Sequence, residues 1–169
     1  MSAPAPIVVT ALFGAEDQAH FDALRRRHYP PARNHVPAHL TLFRHLPPNA
    51  AAELKRRMTT LTRGVPAPKA RAAGLIALDG GVAYRIDSPE LVAMRGSLAE
   101  AFGGLLTPQD RAAWRPHVTI QNKAPPGAAR ALLAALQDDF RVVPVAIAGL
   151  ASWRYRGGPW EPLSRHMFA

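Results

Sequence analysis

The sequence predicts an α+β fold with two pseudo-symmetric lobes of antiparallel sheet, outer helices and a central cleft. Two observations lead to this prediction. The residue pattern of 7–78 indicates the order strand, helix, strand, helix and strand, and residues 82–155 indicate the same order again. The pattern His, apolar, Thr, apolar also occurs once in each half, at His39 and at His117. Such a duplication predicts that the two motif strands face each other across a cleft.

The two halves are predicted to form one domain over residues 1–169. We place the repeat halves at about 6–79 and 80–155, followed by a closing C-terminal hairpin that runs to residue 169. Only the hairpin signal Asp79-Gly80-Gly81 separates the halves, and a turn of this length is too short to link independent domains.

The first half contains two predicted helices among three predicted strands. Residues 7–13 are apolar and rich in β-branched side chains, which is typical of a buried strand. Residues 15–28 carry acidic side chains early and arginines late, an order that favours a helix through its dipole. The other predicted elements are a proline-rich loop at 29–37, the first motif strand at about 38–44, a helix at 49–63 and a strand at 70–78.

The second half repeats this order after the turn. Ser88 is a favourable N-cap for a helix over about 89–103, because its hydroxyl can accept a backbone N–H of the first turn. Pro89 also suits the first helical position. The other predicted elements are a strand at 82–87, an irregular connection at 105–114, the second motif strand at about 117–122, a helix at about 127–138, a strand-rich segment at 140–155 and a last strand near 160–168.

Composition limits the possible function classes. The net charge of +9 favours an anionic partner such as nucleic acid or a nucleotide. The absence of cysteine excludes disulfides, thiolate metal sites and a cysteine nucleophile. The N-terminus has no basic segment typical of a signal peptide, and no stretch approaches the ~18 apolar residues of a membrane span. We therefore expect a cytoplasmic monomer that does not bind membranes.

The two motifs present the same pair of functional groups. Residues i and i+2 of a strand share one face, so His39 lies beside Thr41 and His117 lies beside Thr119. An imidazole with an ordinary pKa of about 6.5 can act as a base or an acid near neutral pH. The threonine hydroxyls can donate hydrogen bonds to phosphate oxygens. Two such pairs on opposite sides of a phosphorus atom suit an in-line displacement without a metal ion.

The motifs HLTL from His39 and HVTI from His117 resemble the signature of the two-histidine phosphoesterases, the superfamily of the 2′-5′ RNA ligases and 2′,3′-cyclic phosphodiesterases. The resemblance covers nearly the whole chain and implies two α+β lobes with one motif from each. It implies hydrolysis of 2′,3′-cyclic phosphates, or of 2′,5′-phosphodiester linkages, in RNA 3′ ends or nucleotides. His39, Thr41, His117 and Thr119 would be the catalytic residues, with no metal or other cofactor.

Several other residues are weaker candidates for substrate binding. Phe43 shares the predicted face of the first motif and would either stack on a base or belong to the core of a lobe. The second motif runs on into Gln121 and Lys123, where relatives often carry arginine. The full set of these candidates is Phe43, Gln121, Lys123, Arg33 and Arg154. The spacing of His28, His35 and His45 matches no standard zinc site, so we predict no metal centre.

Three questions stay open at the level of the sequence. A non-catalytic module that binds nucleotides or RNA would keep the same cleft, although binding alone would not require two titratable imidazoles. For an enzyme, 2′-5′ ligation of RNA is an alternative to hydrolysis. The sequence does not assign the roles of acid and base to the two histidines.

Overall fold

The computed structural model describes residues 4–169 and contains seven β-strands and five α-helices in that range. The strands are β1 (Ile7–Phe13), β2 (Leu40–Leu46), β3 (Lys69–Leu78), β4 (Gly81–Asp87), β5 (His117–Gln121), β6 (Val143–Arg154) and β7 (Glu161–Met167). The helices are α1 (Ala15–His28), α2 (Ala51–Thr62), α3 (Pro89–Ala101), α4 (Pro108–Arg111) and α5 (Pro126–Asp139). The predicted α+β class is confirmed. The sequence predicts that the N-terminal segment is not a signal peptide. Residues 1–3 of that segment lie outside the described range.

The strands form one antiparallel sheet that falls into two lobes. The strand order is β2-β1-β6-β3-β4-β5, and β7 pairs with the part of β6 that also pairs with β1, on the opposite edge of β6. The long strand β6 belongs to both lobes, because its first residues pair with β3 and the remainder pairs with β1. A single continuous strand therefore fixes the position of one lobe relative to the other.

The two sequence halves exchange their third strands. Strand β3 ends the first half but pairs with β4 of the second half. Strand β6 ends the second half but pairs with β1 of the first half. Each lobe thus combines two strands from one half with one strand from the other. This interleaving explains why the halves need no linker.

The helices cover the sheet, and α1 crosses between the halves in the same way. Helix α1 follows β1 but packs mainly against β5, and α5 packs against β3 and β4. The ring of Phe21 on α1 lies 5.2 Å from Phe13 and 5.8 Å from Tyr84, which joins the two lobes through aromatic contacts. Ser88 caps α3 as expected, because its hydroxyl accepts the N–H of Leu91 at 3.2 Å. No helix within residues 4–169 is long and apolar enough to cross a membrane.

Each motif strand contains a β-bulge directly after its threonine. Thr10 faces Thr41 and Val9 faces Phe43, so Leu42 is an extra residue in β2. At the equivalent place in the second half, Ala83 faces Thr119 and Val82 faces Gln121, so Ile120 is an extra residue in β5. A bulge breaks the alternation of faces and increases the local bend. In both strands the two residues after the threonine are buried.

Gly81 permits the close approach of β4 to β5 beside the second bulge. A Cβ at this position would lie 1.6 Å from the carbonyl oxygen of Gln121, which is backbone and has no room to move. We expect Gly81→Ala to lower the free energy of unfolding by more than about 2 kcal/mol. The measurement is denaturant unfolding followed by circular dichroism.

The matched control for Gly81→Ala is Gly96→Ala. Gly96 lies in the exposed face of α3, and a Cβ there meets no atom within 4 Å. Because alanine favours the helix over glycine, this control should raise the free energy of unfolding by about 0.5–1 kcal/mol. Equal effects of the two substitutions would contradict the described β4–β5 packing.

Candidate active site

A cleft of about 800 Å³ contains side chains from both motif strands. His39 and Thr41 line it from the first motif, and His117 and Thr119 line it from the second. Further lining residues come from the loop between α1 and β2, the segment after α4, the segment between β6 and β7, and neighbouring helices and strands. The cleft therefore lies where the elements of both halves meet.

The two imidazoles are held in the same way. Nδ1 of His39 lies 2.8 Å from the carbonyl oxygen of Pro37, and Nδ1 of His117 lies 2.6 Å from the carbonyl oxygen of Arg115. A carbonyl oxygen only accepts hydrogen bonds, so both Nδ1 atoms must carry the proton that is donated. The neutral tautomer therefore has its lone pair on Nε2. For both histidines, Nε2 is the atom available for proton transfer.

His39 differs from an ordinary histidine in its protonation. Burial lowers the pKa of His39 to about 4, although the hydrogen bond to the carbonyl of Pro37 acts to raise it. The positive charges of Arg25, Arg44 and His117 lower this pKa further. The ring of Trp160 lies 4.5 Å from the His39 ring and contributes to its desolvation. At neutral pH the His39 imidazole is therefore uncharged and can accept a proton.

The cleft is strongly cationic. Five arginines line it, whereas Asp110 is the one carboxylate among the lining residues of the described chain. The Asp110 carboxylate accepts the backbone N–H groups of Arg44 and His45 at 3.0–3.1 Å. The four ion pairs found within residues 4–169 involve none of the lining arginines. This charge distribution favours an anionic ligand. The lining arginines are Arg25, Arg33, Arg44, Arg95 and Arg115.

Aromatic side chains occupy two sides of the same cleft. Trp114 lines one wall, and its indole N–H donates to the carbonyl of Thr41 at 3.0 Å. Tyr155 and Trp160 line the cleft from the segment between β6 and β7, and 44% of Tyr155 is exposed. Flat aromatic surfaces beside cationic groups can stack on nucleobases.

The structure places one of the five weaker candidates at the cleft and the other four elsewhere. Arg33 lines the cleft. The interpretation of Phe43 as a base-stacking residue is wrong, because the bulge after Thr41 turns its side chain into the core, where it is 0% exposed. Gln121 is buried for the same reason at the second bulge, with 5% exposure. Neither Lys123 nor Arg154 lines the cleft.

The other histidines near the first motif do not form a metal centre. His35 and His45 line the cleft, but within residues 4–169 no group of three or more His, Asp and Glu side chains is arranged to hold a metal ion.

Sequence reasoning missed several residues that the structure places at the cleft, among them Arg25, Arg95 and Asp110. Arg25 belongs to a run of three arginines in the last turn of α1, yet it is only 3% exposed. One signal was available, because Arg25 follows the buried Phe21 by one helical turn and Arg95 follows the buried Leu91 by the same interval. Asp110 had no comparable signal, since its partners lie on a distant strand.

Comparisons with known proteins agree with this architecture. Residues 13–159 match the family model described as the 2′-5′ RNA ligase superfamily. TT0787 of Thermus thermophilus superposes with a TM-score of 0.64 at 19% identity, covering 96% of this chain and 97% of that one. E. coli LigT complexed with 3′-AMP superposes with a TM-score of 0.55 at 16% identity, covering 99% of both chains. A structure described as a phosphoesterase superposes with a TM-score of 0.56 at 18% identity, covering 98% of this chain and 99% of that one. No curated protein sequence matches the chain significantly.

The low pKa of His39 predicts a pH-dependent stability. The folded protein keeps His39 neutral down to about pH 4, whereas an unfolded chain protonates histidine near 6.5. Between these values the unfolded state binds more protons, so stability falls as pH falls from about 6.5 to 4. Replacing His39 should therefore make the decrease in the free energy of unfolding over this pH range smaller by about 1–3 kcal/mol.

Denaturant unfolding of wild type and His39→Gln between pH 7 and pH 4 measures this difference. The carboxylates are the same in both proteins, so their contribution to the pH dependence cancels in the comparison. His20→Gln, at an exposed position on α1, is the control and should follow the wild type. Parallel pH profiles for wild type and His39→Gln would show that His39 titrates normally in the folded protein.

Proposed function

The chain belongs to the 2′-5′ RNA ligase superfamily, and we propose that it hydrolyses 2′,3′-cyclic phosphates, or 2′,5′-phosphodiester linkages, of RNA ends or nucleotides. The proposed mechanism is acid–base catalysis by His39 and His117. The observation that carries this proposal is the equivalent Nδ1–carbonyl hydrogen bond of both histidines within one cationic cleft. It leaves two Nε2 atoms, one from each motif, for proton transfer.

The low pKa of His39 supports the role of general base. Its neutral Nε2 takes a proton from water, and the water oxygen forms a bond to phosphorus. The bond from phosphorus to one ribose oxygen breaks, and the protonated Nε2 of His117 gives its proton to that oxygen. The product is a phosphomonoester beside a free hydroxyl. Afterwards His39 holds a proton and His117 lacks one, and exchange with solvent restores both.

The remaining groups stabilise charge on the phosphate. We assign the hydroxyls of Thr41 and Thr119 to the non-bridging oxygens, where hydrogen bonds strengthen as charge develops. The lining arginines supply positive potential around them. Acid, base and charge stabilisation thus all come from side chains, so the reaction as proposed requires no metal ion or other cofactor.

The ligand class has independent support from the shared fold. E. coli LigT, which is structurally similar to this chain, was crystallised with 3′-AMP and with NADP+. A mononucleotide with a phosphate on its ribose is also the expected product of the proposed reaction. We therefore assign nucleotides or RNA 3′ ends as ligands of this cleft, with a base on the aromatic side chains.

The proposal predicts that each histidine is required for turnover. His39→Ala and His117→Ala should each lower kcat/KM for a 2′,3′-cyclic nucleotide by about 10²-fold or more, since general acid–base catalysis contributes that much. Turnover is measured by separating cyclic and linear nucleotides. EDTA should leave the wild-type rate unchanged.

His20→Ala, outside the cleft, is the control for these variants. Near-wild-type turnover by His39→Ala or His117→Ala would contradict the two-histidine mechanism. Tight nucleotide binding by a wild-type protein with no turnover would instead favour the non-catalytic binding module.

A further inference from the structure

Two buried arginines occupy equivalent positions in the two halves. Arg25 lies on α1 and is 3% exposed, and Arg95 lies on the equivalent helix α3 and is 9% exposed. Both reach the floor of the cleft. Burying a guanidinium is unfavourable unless its N–H groups are satisfied. Their partners therefore indicate what the two side chains do.

Arg25 connects the second motif with the approach to the first. Its Nη1 donates to the carbonyl oxygen of Thr119 at 2.9 Å, which is the backbone of the second motif. Its Nε donates to Oδ1 of Asn34 at 3.0 Å, and Asn34 lies in the loop that leads to His39. One rigid guanidinium thus fixes both motifs relative to each other.

Arg95 makes the reciprocal connection. Its Nε donates to the carbonyl oxygen of Leu42 at 3.1 Å, directly after the first motif threonine. Its Nη2 donates to the carbonyl oxygen of Asp110 at 2.7 Å, in the segment that leads to the second motif. The guanidinium also lies 4.5 Å over the Phe43 ring, which fixes its plane.

Both arginines donate to carbonyls at the β-bulges. A bulge interrupts the ladder of hydrogen bonds, and buried backbone groups left unpaired are costly. Thr119 and Leu42 stand at these interruptions. Arginine suits the task because its planar fork offers several donors in a fixed geometry, whereas lysine offers a single flexible ammonium.

From this duplicated geometry we propose that Arg25 and Arg95 are positioning residues that hold the two histidine motifs in register across the cleft. They act through the backbone of the motif strands and their approaches, and they do not take part in proton transfer. The inference rests on the proposed function, in which both imidazoles must meet the same phosphate. Misplacement of a reacting group by about 1 Å can cost about 10²-fold in rate.

The test compares Arg25→Lys and Arg95→Lys with wild type on a 2′,3′-cyclic nucleotide. Lysine keeps the charge but carries its donors on one nitrogen, so it does not reproduce the two separated donors that meet both acceptors. We expect kcat to fall about 10-fold or more, with KM and the Kd for adenosine 2′-monophosphate changed less than about threefold. Arg26→Lys is the matched control, since Arg26 is the exposed neighbour on α1, and it should behave as wild type.

Thermal unfolding shows whether a variant with lowered kcat is still folded, so that loss of positioning can be told apart from loss of the fold. If Arg25→Lys does not fold, Asn34→Ala removes one acceptor and keeps Arg25, and it should still lower kcat severalfold. Folded lysine variants with kcat within twofold of wild type would overturn the proposal. So would a raised KM at unchanged kcat, because that result would mean direct substrate binding.

Backbone amide NMR of the free proteins supplies a readout that does not depend on the proposed reaction. Arg25→Lys should shift amides in both motifs, at residues 39–42 and 117–121, and Arg26→Lys should shift neither. A shift confined to 117–121 would overturn the coupling between motifs. If the wild type did not turn over the nucleotide, the proposed function would fail while this measurement still decided the positioning role.

Discussion

The β-bulge after each motif threonine is the constraint on which the rest of the site depends. In a regular strand, Phe43 and Gln121 would follow Thr41 and Thr119 on the cleft face. The bulges turn both side chains into the interior, so neither lines the cleft, whereas the histidine and the threonine of each motif do. The same bulges leave carbonyls that Arg25 and Arg95 satisfy. One backbone irregularity, made twice, therefore shapes both the surface of the site and its support.

The exchange of strands gives this site a rigid frame. Because β3 and β6 each pair with a strand from the other half, the motif strands cannot move apart without breaking sheet hydrogen bonds. Helix α1 adds to this connection by packing on β5 of the other half. Three of the four proposed catalytic side chains, Thr41, His117 and Thr119, thus lie on strands, and His39 directly precedes β2. Preorganised donors and acceptors need no reorganisation during the reaction.

The sequence predicted what is decided locally. Helix α1 ends where the charge order and prolines indicated, and Ser88 caps α3 as its hydroxyl allows. The predictions that failed concern features that depend on residues far away in the sequence. The alternation rule placed Phe43 on the cleft face, because a bulge is defined by the register with β1 and leaves no mark in β2 alone. The burial of Arg25 likewise depends on a carbonyl 94 residues away. The strand exchange and the lowered pKa of His39 have the same non-local origin.

The central claim is that both motifs act on one phosphate, and a crystal structure with adenosine 2′-monophosphate tests it most directly. The account predicts a single phosphate that accepts hydrogen bonds from the hydroxyls of both Thr41 and Thr119 and lies between the Nε2 atoms of His39 and His117. A phosphate that contacts only one motif, or a nucleotide bound outside the cleft, would contradict it.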